Sequence, residues 1–154
     1  MRIFLRPAIQ SEADAVADVY LASRKAFLSF APLAHSDEEV RRWIAEVLLP
    51  SVAVTVALHG EQIVGMMATD HEQGYDWIDQ LYLDPDFVGI GIGSLLLEQA
   101  KQQLNPPLRL YTFQANAGAR RFYERHGFQA IAFGDGQGNE EQCPDVLYEW
   151  RTGV

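Results

Sequence analysis

The sequence predicts an α+β fold, built as one mixed, mostly antiparallel central sheet of about seven strands flanked by four helices on both faces. Two kinds of pattern support this. Short runs of β-branched and apolar residues between turn residues indicate strands, and longer segments repeat apolar residues at helical spacing. With 154 residues, 48% of them hydrophobic, the chain has the size of one ordinary domain, which we place at residues 1–154.

Two capping patterns predict the helices of the N-terminal half. Ser11 and Asp14 mark the start of a first helix over residues 12–27, and Ser36 with Glu39 forms a clearer capping box for a second. A short apolar strand at residues 3–5 precedes both helices. The segment between the helices is apolar and broken by proline, so its larger side chains are either core residues or the lining of a pocket: Phe27, Phe30 and Leu33.

Three strands follow and form an antiparallel meander. Pro50 is predicted to end the second helix, because proline lacks the backbone N–H that a helix interior needs. The strands are expected at residues 52–58, 62–69 and 75–83, with a polar turn at 70–74.

The second half alternates helices and strands. A glycine run follows the third strand of the meander, and a helix opens at Ser94 and closes before Pro106. Gly127 is predicted to end the last helix. The remaining predicted elements are a strand at 108–113, a helix at 117–125, strands at 128–133 and 146–150, and an exposed loop at 134–142.

The glycine run between strand and helix has a physical use. Gly89, Gly91 and Gly93 allow positive φ and close approach of the backbone to a ligand. The first turn of a helix adds unpaired N–H groups with partial positive charge, which suit a phosphate or diphosphate. Taken alone, the run is equally typical of a loop that only turns the chain.

A second segment supports the ligand interpretation. Residues 108–128 read as a strand, an asparagine, a short helix carrying Phe-Tyr, and a Gly-Phe exit. Together the two segments resemble the GNAT superfamily of acetyl-CoA-dependent N-acetyltransferases, whose diphosphate loop has the pattern Gln/Arg-x-x-Gly-x-Gly/Ala. The matching positions are Val88, Gly91 and Gly93 in the first segment, and Asn116, Phe122, Tyr123, Gly127 and Phe128 in the second.

The resemblance implies that acetyl-CoA lies in a V-shaped gap between residues 81–83 and 108–113. The exposed strand edge at Leu81, Tyr82 and Leu83 would pair with the pantetheine arm, and the Leu83 N–H would stabilise charge on the acyl oxygen. The diphosphate would bind the backbone N–H groups of Val88, Gly89, Ile90, Gly91, Ile92, Gly93 and Ser94. The sequence departs from the family pattern at Val88 and Ile90, which are apolar where polar or basic residues are usual.

The resemblance also implies three side-chain roles. Asn116 sits at a helix N-cap and would in addition hydrogen-bond the pantetheine arm. Tyr123 would donate a proton to the leaving thiolate as general acid. Asp79, four residues before Leu83 and therefore on the same face of a regular strand, is the candidate base for the acceptor amine. Each has a plain structural alternative: a cap, a core aromatic residue and a solvated carboxylate.

Charge and composition exclude several classes of function. A net charge of −9 argues against nucleic acid as a partner and is compatible with a cationic acceptor. No apolar run is long enough for a membrane span, so a cytoplasmic protein is expected. Cys143 has no cysteine partner, and four scattered histidines indicate no metal site. The acceptor, a small-molecule or peptide amine, and the oligomeric state, a homodimer included, are left open.

Two rival functions remain at this point. A dinucleotide-binding enzyme would use the same glycines, but its fingerprint needs a third glycine where Ser94 stands and normally follows the first strand of a βαβ unit, and we expect neither condition to be met. A non-catalytic acyl-CoA-binding module would keep the glycines and Asn116 and would not need Tyr123. We therefore expect direct transfer of an acetyl group from acetyl-CoA to an amine, without a covalent enzyme intermediate.

Overall fold

The computed structural model describes residues 2–152 and contains one seven-stranded sheet. Its strand order is β1-β2-β3-β4-β5-β7-β6, and every neighbouring pair is antiparallel except β4 and β5. The predicted fold class and element order are confirmed. The strands are β1 (Ile3–Pro7), β2 (Ala53–His59), β3 (Gln62–Glu72), β4 (Tyr75–Leu83), β5 (Leu108–Phe113), β6 (Gln129–Phe133) and β7 (Asp145–Trp150).

Helices cover both faces of this sheet. The helical segments are α1 (Ala13–Phe27), α2 (Asp37–Trp43), α3 (Leu49–Ser51), α4 (Ile92–Gln103) and α5 (Ala117–Arg125). One core lies between α1, α2 and strands β2 and β3, and the other lies between α4, α5 and strands β5 and β7. The two cores leave β4 in the middle of the sheet, with a different layer of helices above and below it.

The start of α1 differs from the prediction. Ser11 does not cap the helix; it lies in a 3₁₀ turn, Gln10–Glu12, that precedes it. The carboxylate of Glu12 accepts a hydrogen bond from the Ile9 N–H at 3.0 Å and pairs with Arg6 at 2.7 Å. These bonds join the helix start to β1 and lower the pKa of Glu12 to about 2, chiefly through Arg6.

The second helix is longer and less regular than predicted. Ser36 and Glu39 form the expected capping box, but after Trp43 the helix passes through a π-helical stretch, Ile44–Leu48, into α3. The helix ends at Ser51, one residue beyond the predicted end at Pro50, which lies in the first turn of α3. A π-helical turn takes more residues than an α-turn, so Val47, expected on the apolar face, is half exposed.

The hairpin between β3 and β4 is tighter than the predicted turn at 70–74. β3 continues to Glu72, which pairs with Tyr75. The connection is therefore only Gln73 and Gly74, with φ of 54° and 83°. Positive φ at both positions is the geometry of a two-residue hairpin turn. β4 and β5 have the predicted bounds, and the bounds of β1, β2, β6 and β7 differ from the predictions by one or two residues.

The pairing of β4 with β5 is short, and this shapes the middle of the sheet. Only Asp76 with Leu108 and Trp77 with Arg109 are paired, in parallel. Beyond them the two strands separate, while β5 stays paired with β7 along its whole length. On its other edge β4 has a bulge at Asp79, because Thr69 pairs with Ile78 and Ala68 with Gln80.

Asp76 holds the closed end of this gap. It lies inside β4 and is buried. Its carboxylate accepts from the Asn105 N–H at 2.8 Å and contacts His71 Nδ1 at 2.6 Å. The Asn105 N–H, followed by His71, lowers the pKa of Asp76. The carboxylate thereby ties the start of the β4–β5 pairing to the chain that enters β5.

Replacing Leu97 by Ala should reduce the free energy of unfolding by about 2–5 kcal/mol, because its fully buried side chain fills the core beneath α4. Leu95→Ala on the same helix is the matched control. Its side chain is 47% exposed, so its loss should stay under about 1 kcal/mol. Urea unfolding of both variants measures the difference, and equal losses would contradict this packing of α4.

Candidate functional site

The open edge of β4 presents unpaired backbone groups. The Asp84 N–H donates to the Val64 carbonyl of β3 at 2.8 Å. Successive N–H groups of a strand alternate in direction, so the N–H groups of Leu81 and Leu83 point away from β3. On that side β5 has already separated. The amides of Leu81 and Leu83 are thus directed into the gap between β4 and β5. This is the gap in which the family resemblance predicts acetyl-CoA.

Tyr82 does not share this position. It was predicted among the cofactor-binding residues, but its backbone pairs with Met66 of β3 and its side chain lies on the opposite face from Leu81 and Leu83. There its hydroxyl accepts a hydrogen bond from Arg24 Nη1 at 3.0 Å. Tyr82 therefore belongs to the cleft on the α1–α2 side of the sheet.

Asp79 is the bulge residue, and the bulge changes the alternation of β4. Period two predicted Asp79 on the same face as Leu83. The structure corrects this, since Asp79 lines the α1–α2 cleft whereas Leu83 packs toward α4. Although Asp79 is exposed, neighbouring protein atoms partly desolvate its carboxyl, and Asp70 and Glu72 add negative charge. Together these effects raise the pKa of Asp79 to about 6.

The loop after β4 offers a second set of free amides. Between a 3₁₀ turn, Pro85–Phe87, and the body of α4, no backbone N–H of residues 88–94 donates to an acceptor within residues 2–152. The first helical bond runs from the Leu95 N–H to the Gly91 carbonyl at 3.1 Å. Seven consecutive amides are thus left without partners, at the positive end of a twelve-residue helix.

Glycine is required at several positions of this loop. Gly91 is the N-cap of α4 with φ of 96°, and Gly89 has φ of 75°, a backbone region that other residues rarely adopt. The helix begins at Ile92, two residues before the predicted start at Ser94. Gly93 lies inside α4, where an added Cβ would stand 3.2 Å from the Phe122 ring. Gly93 therefore permits α4 and α5 to approach each other.

Asn116 caps α5, as its position predicted. Its Oδ1 accepts from the Ala119 N–H at 3.1 Å. The capping bond uses the side-chain oxygen, so the side-chain NH₂ retains both of its donors for another partner. Asn116 can therefore cap α5 through its oxygen and still bind a ligand through its NH₂ group.

Tyr123 is packed against Phe122, Phe128 and Tyr148, and is 8% exposed. Its hydroxyl has no hydrogen-bond partner among the described residues, and it is not one of the fully buried unpaired atoms, so it reaches solvent. Burial, followed by the phenol of Tyr82, raises the pKa of Tyr123 above its ordinary value.

A buried arginine, which the sequence analysis did not single out, organises the cleft. The Arg24 guanidinium donates to the Tyr82 hydroxyl at 3.0 Å, the Ala31 carbonyl at 3.1 Å and the Glu141 carboxylate at 2.9 Å. It joins α1 to β4 and to the loop between β6 and β7. Its position was a usable signal, since Arg24 follows Tyr20 by four residues on the apolar stripe of α1.

The cleft on this side has a volume of about 1060 Å³. It lies between α1, the second helix, β4, β5 and the β6–β7 loop. Its lining carries two arginines, of which Arg24 is paired with Glu141 and Arg42 with Glu38 outside the cleft. The carboxylates that line it are Glu39, Glu46, Asp79, Asp135, Glu140, Glu141 and Asp145. The cleft is therefore strongly negative and suits a cationic ligand.

The sequence left two roles open for the apolar residues between the first two helices: packing in the core or lining a pocket. Leu33 lines the cleft and also packs against the core. Phe30 packs edge-on against Phe113 of β5, with ring centroids 6.0 Å apart. Phe27 is 45% exposed and has neither role.

Three further findings concern a dinucleotide site, a metal site and a membrane span. The glycine loop connects β4 to α4, and α4 leads into the parallel strand β5, so the loop does lie in a βαβ unit, contrary to the sequence prediction; a dinucleotide fingerprint is still incomplete, because Ser94 stands where its third glycine is needed. Within residues 2–152, no three His, Cys, Asp or Glu side chains are grouped as metal ligands. In the same range, no helix has the length and apolarity to cross a membrane.

Comparison with known proteins gives a consistent result. The family model of the acetyltransferase (GNAT) family matches residues 19–128. The peptidyl-lysine N-acetyltransferase YjaB of Salmonella typhimurium is 33% identical over 132 residues, which cover 84% of this chain and 85% of the relative.

Solved structures agree in fold. The solution structure of apo YjaB from Escherichia coli has a TM-score of 0.79 at 24% identity and covers both chains completely. The PaiA N-acetyltransferase of Thermoplasma acidophilum, solved in complex with coenzyme A, has a TM-score of 0.78 at 21% identity, covering 98% of this chain and 99% of that one. At these identities the likeness establishes the architecture shared by these acetyltransferases.

Proposed function

The chain belongs to the GNAT family of acetyltransferases and is an acetyl-CoA-dependent N-acetyltransferase; from this premise we propose that it acetylates lysine side chains of peptides or proteins, with residues 1–154 as one catalytic domain. The observation that carries the proposal is a single gap between β4 and β5. On one side it offers the free amides of Leu81 and Leu83, and on the other it opens onto an acidic cleft that contains Asp79.

The residues present fit acetyl-CoA. The amides of residues 88–94 would hold its diphosphate, since they are unpartnered and converge on a helix N-terminus. Adding a Cβ at Gly89 or Gly91 would meet nothing within 4 Å, so open space lies above the loop. The Leu81 amide and the Asn116 side-chain NH₂ would bind the pantetheine arm. Because backbone amides supply the donors, the apolar Val88 and Ile90 do not prevent binding.

Acetyl-CoA supplies the acetyl group as an activated thioester, and three groups of this chain act on the transfer. The Leu83 N–H donates to the carbonyl oxygen as negative charge develops there. Asp79 accepts the proton of the attacking amine as the C–N bond forms. Tyr123 donates its proton to the sulfur as the C–S bond breaks. Its raised pKa keeps the phenol protonated before the transfer.

The acidic cleft supports a lysine acceptor. Seven carboxylates line it, and both of its arginines are paired with carboxylates. A lysine side chain is long enough to bring its amine to the bulge at Asp79 while the rest of a peptide stays at the surface. The curated relative is itself a peptidyl-lysine N-acetyltransferase, which points to the same acceptor class.

Tyr123→Phe tests the general acid. It should lower kcat about 10²- to 10⁴-fold and leave the Kd for CoA unchanged, because the ring still packs against Phe128. Tyr75→Phe, at the other end of β4, is the control and should keep wild-type kcat. A Tyr123→Phe variant with full turnover would show that this phenol does not protonate the sulfur.

Asp79→Asn tests the base. Only the ionised carboxylate accepts a proton, so kcat/KM for the acceptor should be lost below a pKa of about 6 and gained as pH rises through it. The variant should lack this acidic limb and be about 10²-fold slower at pH 8. In every variant, deprotonation of the acceptor amine adds a second rise in kcat/KM at about pH 10. Asp14→Asn, on the exposed side of α1, should keep both limbs. An unchanged limb in Asp79→Asn would assign it to another group.

The acceptor class is tested with N-terminally blocked peptides that contain one lysine, using thiol release as the readout. Basic flanking residues should raise kcat/KM about tenfold over acidic ones at low salt, and added salt should reduce the difference. Glu46→Gln, in the cleft, should narrow the preference, whereas Glu61→Gln, at an exposed position between β2 and β3 outside the cleft, should not. Turnover of small free amines with none of lysine peptides would refute the proposed acceptor.

A further inference from the structure

A polar contact joins the first turn of α4 to the end of α5. Ser94 Oγ lies 3.0 Å from His126 Nε2. The other ring nitrogen, Nδ1, lies 3.7 Å from Glu98 Oε1. The His126 side chain is only 19% exposed. The imidazole therefore connects a carboxylate to the hydroxyl of Ser94, the residue that ends the row of free amides.

This arrangement determines whether the hydroxyl hydrogen of Ser94 is free to bind an anion. Glu98 favours the tautomer with hydrogen on Nδ1, so Nε2 of a neutral imidazole accepts and the Ser94 hydroxyl donates to it. In that state the hydroxyl has no hydrogen left for an anion. If Nε2 is protonated it donates to Oγ instead, and the hydroxyl hydrogen becomes free to donate to a phosphate oxygen.

The glycine loop itself supplies no positively charged side chain to a bound diphosphate. Residues 88–94 contain no basic side chain, and Val88 and Ile90 are exposed apolar residues. An imidazolium behind Ser94 would supply a positive charge within one hydrogen bond of the amide row, and Glu98 would stabilise it.

The other charged groups around His126 come from each element packed against it. From α4, Lys101 Nζ donates to the His126 carbonyl at 2.5 Å and lies 3.6 Å from Glu98 Oε1. On α5, Arg125 is its sequence neighbour, and Phe122 contributes an uncharged ring 4.8 Å away. From β7, uncharged Trp150 lies beneath Lys101. Glu98 is thus the anion that offsets the nearby cations.

We propose that His126 is a proton-linked positioning residue for the cofactor diphosphate. Binding of the diphosphate takes up a proton on Nε2, and the Ser94 hydroxyl then donates to a phosphate oxygen. This inference rests on the proposed function, because the diphosphate is that of acetyl-CoA. It adds to that function a pH dependence of cofactor affinity which is separate from the pH dependence that Asp79 confers on turnover.

The test is isothermal titration calorimetry with 3′-dephospho-CoA between pH 6 and 8. This probe lacks the 3′-phosphate monoester, whose second ionisation near about pH 6 would otherwise obscure the result. Titrations in buffers of different ionisation enthalpy should show uptake of up to one proton at pH 8. The Kd should weaken as pH rises, by no more than about tenfold per unit, the limit for a single linked proton.

Variants identify the group that takes up the proton. His126→Gln should bind with no proton uptake and with pH-independent affinity, and Ser94→Ala should lose most of the linkage. His71→Gln, near the end of β3, should retain it. Uptake that persists in His126→Gln, or wild-type binding without uptake, would overturn the inference and leave the proposed function intact. Absence of any CoA binding between pH 6 and 8 would instead refute the proposed function.

Discussion

The structure depends on two central strands that pair over only two residues and then separate. Asp76 holds the paired end of β4 and β5 closed through the Asn105 N–H, and the bulge at Asp79 lies where the separation begins. A fully paired sheet would bury the Leu83 amide in a ladder hydrogen bond and close the passage between the two faces. The gap instead joins the α4–α5 side, with its free amides, to the acidic cleft on the α1–α2 side. The proposed direct transfer would take place at this gap, between the free amides on one side and the acidic cleft on the other.

The fold was largely predictable because most of its helices and strands repeat apolar residues at the spacing typical of that element. Alternation placed β4 at residues 75–83, the same bounds that the structure shows, and the capping box at Ser36 was correct. The bulge at Asp79 was not predictable from β4 alone, because a bulge is a mismatch with a neighbouring strand and leaves no mark on its own sequence. Period two consequently placed Asp79 on the wrong face. The same limitation concealed Asp76, whose partner at residue 105 is supplied by tertiary structure.

Irregularity in the second helix was missed for a related reason. Pro50 is a reliable helix breaker in the interior of a helix, yet the π-helical stretch Ile44–Leu48 ends just before it and makes its position a first turn. The same stretch turns Val47 and Glu46 toward the cleft. Arg24, by contrast, was detectable from the sequence, because a cation on the apolar stripe of a helix requires buried partners. Those partners, Tyr82 and Glu141, lie 58 and 117 residues away along the chain, beyond the reach of any local pattern.

These differences follow from how each half of the site makes its contacts. The proposed cofactor half would use backbone amides, and its requirement on sequence is conformational: glycine at positive φ in residues 89 and 91, and a small residue at 93 where α5 approaches. Such requirements are visible in a single sequence and tolerate apolar side chains at 88 and 90. The acceptor half uses side chains from five separate segments, so its chemistry exists only after folding. Exchanges of the cleft carboxylates that lie outside β4 would therefore be expected to change the proposed acceptor preference without altering the gap between β4 and β5.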